Sequence, residues 1–151
     1  MKTLPPVIIA TDRGHLIAYR LEEGDRPRVL ATEEFTEGNT KLSDLVTDQA
    51  GAFPMTGSIG TGSAERMPLV AELEMRCFRK ISEKIHSLLR DEKAGRWALV
   101  APSEIHGAIV DFLAAEDRET LALQLKRNLV KVPSKELVEA LHQEAGRTAW
   151  D

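Results

Sequence analysis

The stretch Val7-Ile8-Ile9-Ala10-Thr11-Asp12-Arg13-Gly14-His15-Leu16-Ile17-Ala18-Tyr19-Arg20-Leu21 (VIIATDRGHLIAYRL) decides how the chain folds. Its first five residues form a continuous, largely β-branched run. Such a run suits a strand buried on both faces. Asp12-Arg13-Gly14 is a turn signal, and His15–Leu21 reads as a second strand. Glu22 to Pro27 carries Gly24-Asp25 and Pro27, a loop, and Arg28–Phe35 (RVLATEEF) makes a third strand. The short spacings predict an antiparallel meander of three strands.

Downstream, the period changes. Thr40–Asp48 reads as a short helix with Leu42, Leu45 and Val46 inward. Gln49–Met67 (QAGAFPMTGSIGTGSAERM) follows with four glycines and no apolar period. An irregular insertion of that length inside a small domain is usually functional or disordered, so a polar arm is expected here. Pro68 suits the first turn of a helix. From Leu69, the residues Val70, Leu73, Cys77, Ile81, Ile85 and Leu88 recur at spacings of three or four. They predict one apolar stripe on a helix about 36 Å long, ended by Gly95. Glu72 and Arg76 are spaced to pair on it.

Trp97–Ala101 is a fourth strand, apolar enough to be central. Pro102-Ser103 is expected to cap a helix bearing Ile105, Ile109, Val110 and Leu113. The segment 121–132 alternates at Leu121, Leu123 and Leu125 before Lys126-Arg127-Asn128 breaks it, giving a fifth strand at an edge. Pro133-Ser134 opens a last helix with Leu137, Val138 and Leu141 inward, stopped at Gly146. The fold class is α/β: a ribonuclease-H-like mixed five-stranded sheet with helices on its faces, the first strand central beside the fourth. One domain over residues 1–146 and a tail over 147–151 are expected.

Composition narrows the function. The 151 residues are 42% hydrophobic and 29% charged, with a net charge of −4, which argues against a broadly basic nucleic-acid binder but leaves a local patch open. Cys77 is the one cysteine, so there is no internal disulfide, and it reads as a small buried hydrophobe. No signal peptide or membrane-length apolar run is visible, so a cytoplasmic protein without membrane insertion is expected.

Several motifs bear on chemistry. A two-metal nuclease needs carboxylates converging at the central strand ends. Asp12 stands past the first strand, and Glu72 or Glu74 could add a second, but the fourth strand ends in Val100-Ala101-Pro102 without an acid. Asp12 therefore reads first as a turn former. Gly57-Ser58-Ile59-Gly60-Thr61-Gly62 has phosphate-loop spacing, but Ser63-Ala64 stands where Lys and Ser or Thr are needed. Backbone amides in that run, with Gly57, Ser58, Gly60, Thr61, Gly62, Ser63 and Arg66, could still hold an anion. The four histidines share no metal-ligand spacing and read as surface or cap residues. No metal or cofactor is implied. Lys126, Arg127, Lys131 and Lys135 form one basic cluster, and Arg76, Arg79, Lys80 and Lys84 another. Each is either a solvated face or a phosphate-backbone contact.

Five segments also carry a family resemblance: VIIATDRGHLIAYRLEE from Val7, Lys41 with DLVTDQAG (44–51), EMRCFRKISEKI around Phe78, WALVAPSEIHG from Trp97, and LKRNLVKVPSKEL before the last helix. In this order they resemble the bacterial host attachment protein family, over Val7 to about Leu141. That family is similar to the middle domain of class 1 peptide-chain release factors of archaea and eukaryotes. The resemblance implies a ribonuclease-H-like fold. In release factors, a loop before the long helix carries a Gly-Gly-Gln tripeptide that enters the peptidyl-transferase centre, and the arm here stands in the comparable place. It has no Gly-Gly pair, and no glycine precedes Gln49, so release activity does not carry over. Lys126-Arg127-Asn128 replaces residues that are commonly acidic in the family.

Three functions follow as expectations. The first is a non-enzymatic protein touching ribosome or RNA through the arm and the basic face. The second is a hydrolase of a phosphate ester or peptidyl-tRNA using Asp12, Asp48, Ser63 and Arg66. The third is an interaction module whose arm orders on a protein partner.

Overall fold

A computed structural model describes residues 4–35 and 59–148. Among the described residues, five strands form one sheet: β1 (Val7–Thr11), β2 (His15–Glu22), β3 (Arg26–Glu34), β4 (Trp97–Val100) and β5 (Leu121–Leu125). Their order across the sheet is β3-β2-β1-β4-β5. β1 pairs antiparallel with β2 and parallel with β4; β2–β3 is antiparallel and β4–β5 parallel. The first strand is central beside the fourth, as the sequence predicts. The helices among the described residues are α1 (Ile59–Glu92), α2 (Ser103–Phe112), α3 (Ala115–Thr120) and α4 (Ser134–Thr148).

The two apolar runs make the middle of a three-layer sandwich. Every residue of β1 and β4 is buried. Val7, Ile9, Leu16, Ala18, Trp97 and Leu99 pack with Cys77, Phe78, Ile81 and Ile85 of α1 and with Ile105 and Ile109 of α2. Ile8, Ala10, Tyr19, Ala98, Val100, Leu123 and Leu125 pack on the opposite face with Leu137, Val138 and Leu141 of α4. The period of two sends alternate residues into separate cores. Burying an aliphatic side chain there contributes about 1.5–3 kcal/mol.

Three helix boundaries differ from expectation. α1 begins at Ile59, not at Leu69, so Gly60, Thr61, Gly62, Ser63 and Arg66 lie on its backbone and Pro68 stands in its interior. Once the packed half from Cys77 onward has nucleated the helix, each upstream residue adds one hydrogen bond without a new nucleation cost, except at the carbonyl four residues before Pro68, which has no N–H to donate. Two glycines at about 1 kcal/mol each slow that extension without stopping it. At the other end the helix stops two residues before Gly95 is reached. Lys93 takes the left-handed conformation at φ 51. Lys93 N–H then donates to Arg90 O at 3.2 Å and Ala94 N–H to Leu89 O at 3.1 Å, which is the Schellman arrangement. α4 likewise runs past Gly146 to Thr148.

α3 has no counterpart in the sequence reading, because its six residues, AEDRET, show no apolar period. The predicted helix 40–48, and with it Asp48, lies outside the described residues, as do Gly57, Ser58 and the rest of 36–58.

Candidate functional site

The carboxyl ends of β1 and β4 deliver two loops to one edge of the sheet. After β1 the chain turns at once into β2; after β4 it enters α2. In open α/β sheets, a crevice between loops that diverge at such strand ends is the usual ligand site. Here a cleft of about 320 Å³ opens between them, lined by Asp12, Arg13, Gly14, His15, Pro102, Glu104, Ile105, Asn128 and Lys131. The last two come from the loop between β5 and α4, so three connections converge.

Asp12 shapes the cleft through its turn. Its Oδ1 accepts from the Gly14 amide at 2.8 Å and the His15 amide at 2.7 Å. Thr11 Oγ1, fully buried, donates at the same corner to Asp12 O or His15 O, 3.0 and 2.9 Å away. The turn-former role predicted for Asp12 is what the geometry shows. Among the described residues, no three of His, Cys, Asp and Glu converge as a metal site.

Arg13 joins the cleft to α1. Its Nε donates to Glu74 Oε1 at 3.0 Å, and Nη2 lies 2.8 Å from the same oxygen. The buried Cys77 thiol donates to Arg13 O at 2.9 Å. Glu74, weighed above as a possible metal ligand, is thus an ion-pair partner. Glu72 pairs with Arg76 at 2.6 Å, as its spacing predicts.

The two basic clusters differ. On α1, Arg76 is held by Glu72, and Lys84 lies 3.4 Å from Glu33. After β5, Lys126, Arg127 and Lys131 are all exposed, and none has a carboxylate partner among the described residues. That loop is the one beside the cleft.

α1 passes this edge. Arg13, at the carboxyl end of β1, meets Glu74, whereas Arg20, opposite the start of β1, meets Glu92 at 3.1 Å. The helix therefore spans the sheet between Glu74 and Glu92. The fifteen residues from Ile59 to Leu73, about 22 Å of axis, lie beyond that edge. Gly60, Thr61, Gly62, Ser63 and Arg66 fall on this extension rather than in an irregular arm.

The histidines are less superficial than expected. His106 is only 1% exposed, with Nε2 2.9 Å from Gln124 Oε1 and Nδ1 3.4 Å from Ala101 O, so it ties α2 to β5. The sequence does not mark it as buried, because a single polar residue in a helix carries no sign of which neighbour will satisfy it. His86 Nδ1 lies 2.9 Å from the buried Asp117 carboxylate, and His142 Nε2 lies 2.9 Å from Asp25. His15 lies 3.7 Å from both Asp12 and Glu34. Ser103 does not cap α2 through its side chain; its hydroxyl faces Glu104 at 3.3 Å.

The molecule is therefore an α/β protein with a polar cleft at the carboxyl edge of its sheet and a basic loop beside it. The chain belongs to the family described as proteins required for attachment to host cells, whose model matches residues 7–141. No curated protein matches the sequence significantly. Among solved structures it is similar to the ethanolamine utilization protein EutJ from Carboxydothermus hydrogenoformans. That match has 13% identity and a TM-score of 0.44, and covers 83% of this chain and 46% of that one. It is also similar to the Ppx/GppA phosphatase of Aquifex aeolicus, with 14% identity, a TM-score of 0.41 and coverage of 82% and 35%. The chain thus spans less than half the length of either. Among the described residues, no helix is long and apolar enough to cross a membrane.

Proposed function

We propose that this is a non-enzymatic protein with a ribonuclease-H-like, release-factor-middle-domain-like fold that binds RNA, on the ribosome, through the carboxyl edge of its sheet. Support comes from the loop after β5. Lys126, Arg127 and Lys131 stand exposed without carboxylate partners among the described residues, next to a polar cleft and on the same edge as the extension of α1. Unneutralised cations on one edge attract a phosphate backbone and need no base readout. The strand order 3-2-1-4-5 and the long helix after β3 support the likeness to release factors. A hydrolytic role for Asp12 is less favoured, because the oxygen nearest the turn is already committed to two amides.

The test is co-sedimentation with ribosomes across a salt series. Binding is expected at low salt and to weaken as salt rises. The double variant Lys126→Glu/Arg127→Glu is expected to reduce the log–log salt slope by about 1.4, at roughly 0.7 per phosphate contact on single strands. A wild-type protein that stays in the free fraction at low salt refutes the proposal.

A further inference from the structure

Arg13 has two claims on it. It lines the cleft with His15, Asn128 and Lys131, yet its guanidinium is held by Glu74 of α1. The pair is only partly sheltered, with Arg13 41% and Glu74 30% exposed. Both Arg13 contacts fall on one oxygen, Oε1, and Nη1 has no partner among the described residues. An Arg fork matches a phosphate at least as well as a carboxylate. The main chain of the same residue is fastened too, by the Cys77 thiol one helical turn beyond Glu74. Arg13 is thus the point where the floor of the cleft and the long helix are joined.

We propose that the cleft is a single-phosphate subsite in which the ligand and Glu74 compete for Arg13. A phosphate group entering between the β1–β2 turn and Pro102 meets Lys131 and Asn128 on one side and Arg13 on the other. Recruiting Arg13 draws it from Glu74 and loosens the contact that holds α1 to the turn. Of the two acids in the cleft, Asp12 has Oδ1 occupied by the Gly14 and His15 amides, and Glu104 is exposed at the rim. The cleft is several times larger than a phosphate, which leaves room for the attached sugar of a nucleotide. The consequence is coupling: occupancy of the cleft is read out at α1, whose extension carries Gly60 to Arg66. The source of the phosphate as RNA rests on the proposal above; the subsite and its coupling to α1 do not.

The experiment uses the full chain, inorganic phosphate at constant ionic strength, and two readouts. Phosphate affinity is followed by NMR at the Gly14, His15 and Asn128 amides. Contact between α1 and the turn is followed by the rate at which Cys77, the sole cysteine, reacts with a thiol reagent. Glu74→Gln is expected to bind phosphate about fivefold more tightly, the upper range for a partly exposed ion pair. Arg13→Gln is expected to lose most of the affinity. Phosphate is expected to accelerate Cys77 labelling in the wild type and to change it little in Glu74→Gln. Absence of phosphate-specific shifts in both wild type and Glu74→Gln removes the subsite. Equal phosphate affinity in the two proteins, or Cys77 labelling indifferent to phosphate, removes the coupling. An oligouridylate arm separates the two proposals. RNA bound with the expected salt slope but unchanged phosphate behaviour in Glu74→Gln overturns only the inference made here. The expected phosphate behaviour without RNA binding overturns only the ribosomal reading.

Discussion

Replacing Asp117 by alanine tests how α3 is held, because one residue makes three of its attachments. Asp117 is 4% exposed, and its carboxylate Oδ2 lies 2.9 Å from His86 Nδ1 on α1. Its carbonyl accepts from Trp97 Nε1 at 2.8 Å, and its amide donates to Ala114 O at 3.0 Å. Alanine keeps both backbone bonds and removes only the carboxylate. A hydrogen bond to a charged group contributes about 1.5–3 kcal/mol. His86 is 31% exposed and can turn to water, so the lower end applies, about 1.5 kcal/mol. For a chain of this size that corresponds to a drop in Tm of roughly 3–6 °C. Urea unfolding of Asp117→Ala, His86→Ala and the double variant supplies a thermodynamic cycle. The coupling energy is expected to be about 1 kcal/mol or more, with unchanged m values. Asp117→Asn, which keeps a hydrogen-bonding group, is expected to lose less than alanine. Additivity of the two single variants to within about 0.5 kcal/mol would refute the claim that this pair fastens α3 to α1.

Asp12→Ala is expected to cost about 1–2 kcal/mol, because two turn amides lose their acceptor, whereas Asp12→Asn keeps an acceptor oxygen and is expected to cost much less; urea midpoints compare them. Pro68→Ala discriminates the two starts of α1. If the helix runs from Ile59, alanine supplies the missing amide and raises helical content by circular dichroism, whereas if Pro68 opened the helix the signal would stay level or fall. Burial raises the Tyr19 hydroxyl above its ordinary value of 10.0. The folded state then keeps the proton after the unfolded chain has lost it. This contribution is whole below pH 10 and declines as pH rises through the folded value, so Tyr19→Phe is expected to flatten the alkaline loss of stability in pH-jump denaturation.

The parts of the fold legible in the sequence are those in which one physical rule dominates. VIIAT and WALV read as central strands because helices cover both faces of the sheet there and leave, apart from Thr11 at the end of β1, only apolar positions. The stripe from Cys77 to Leu88 read as a helix because one side of it meets the sheet. Where rules compete, local sequence does not decide the structure. Glycine, serine and threonine upstream of Pro68 signal irregular chain, but a helix already nucleated downstream extends through them. AEDRET carries no period, and its helix is fastened from outside by Trp97 and His86. The candidate site divides in the same way. Asp12, Lys126 and Arg127 stood out by residue type and by their place at strand ends. Arg13 and Glu74 lie 61 positions apart and meet only because α1 crosses the sheet edge at that level. In Asp12-Arg13-Gly14 the flanking residues make the turn, and nothing in the sequence marks the arginine between them. Yet the turn is what aims Arg13 along the cleft toward α1. Strand ends of open α/β sheets are where ligand crevices tend to form; in this chain the residue that lines the cleft and also touches the long helix is one that its own neighbours in sequence do not mark.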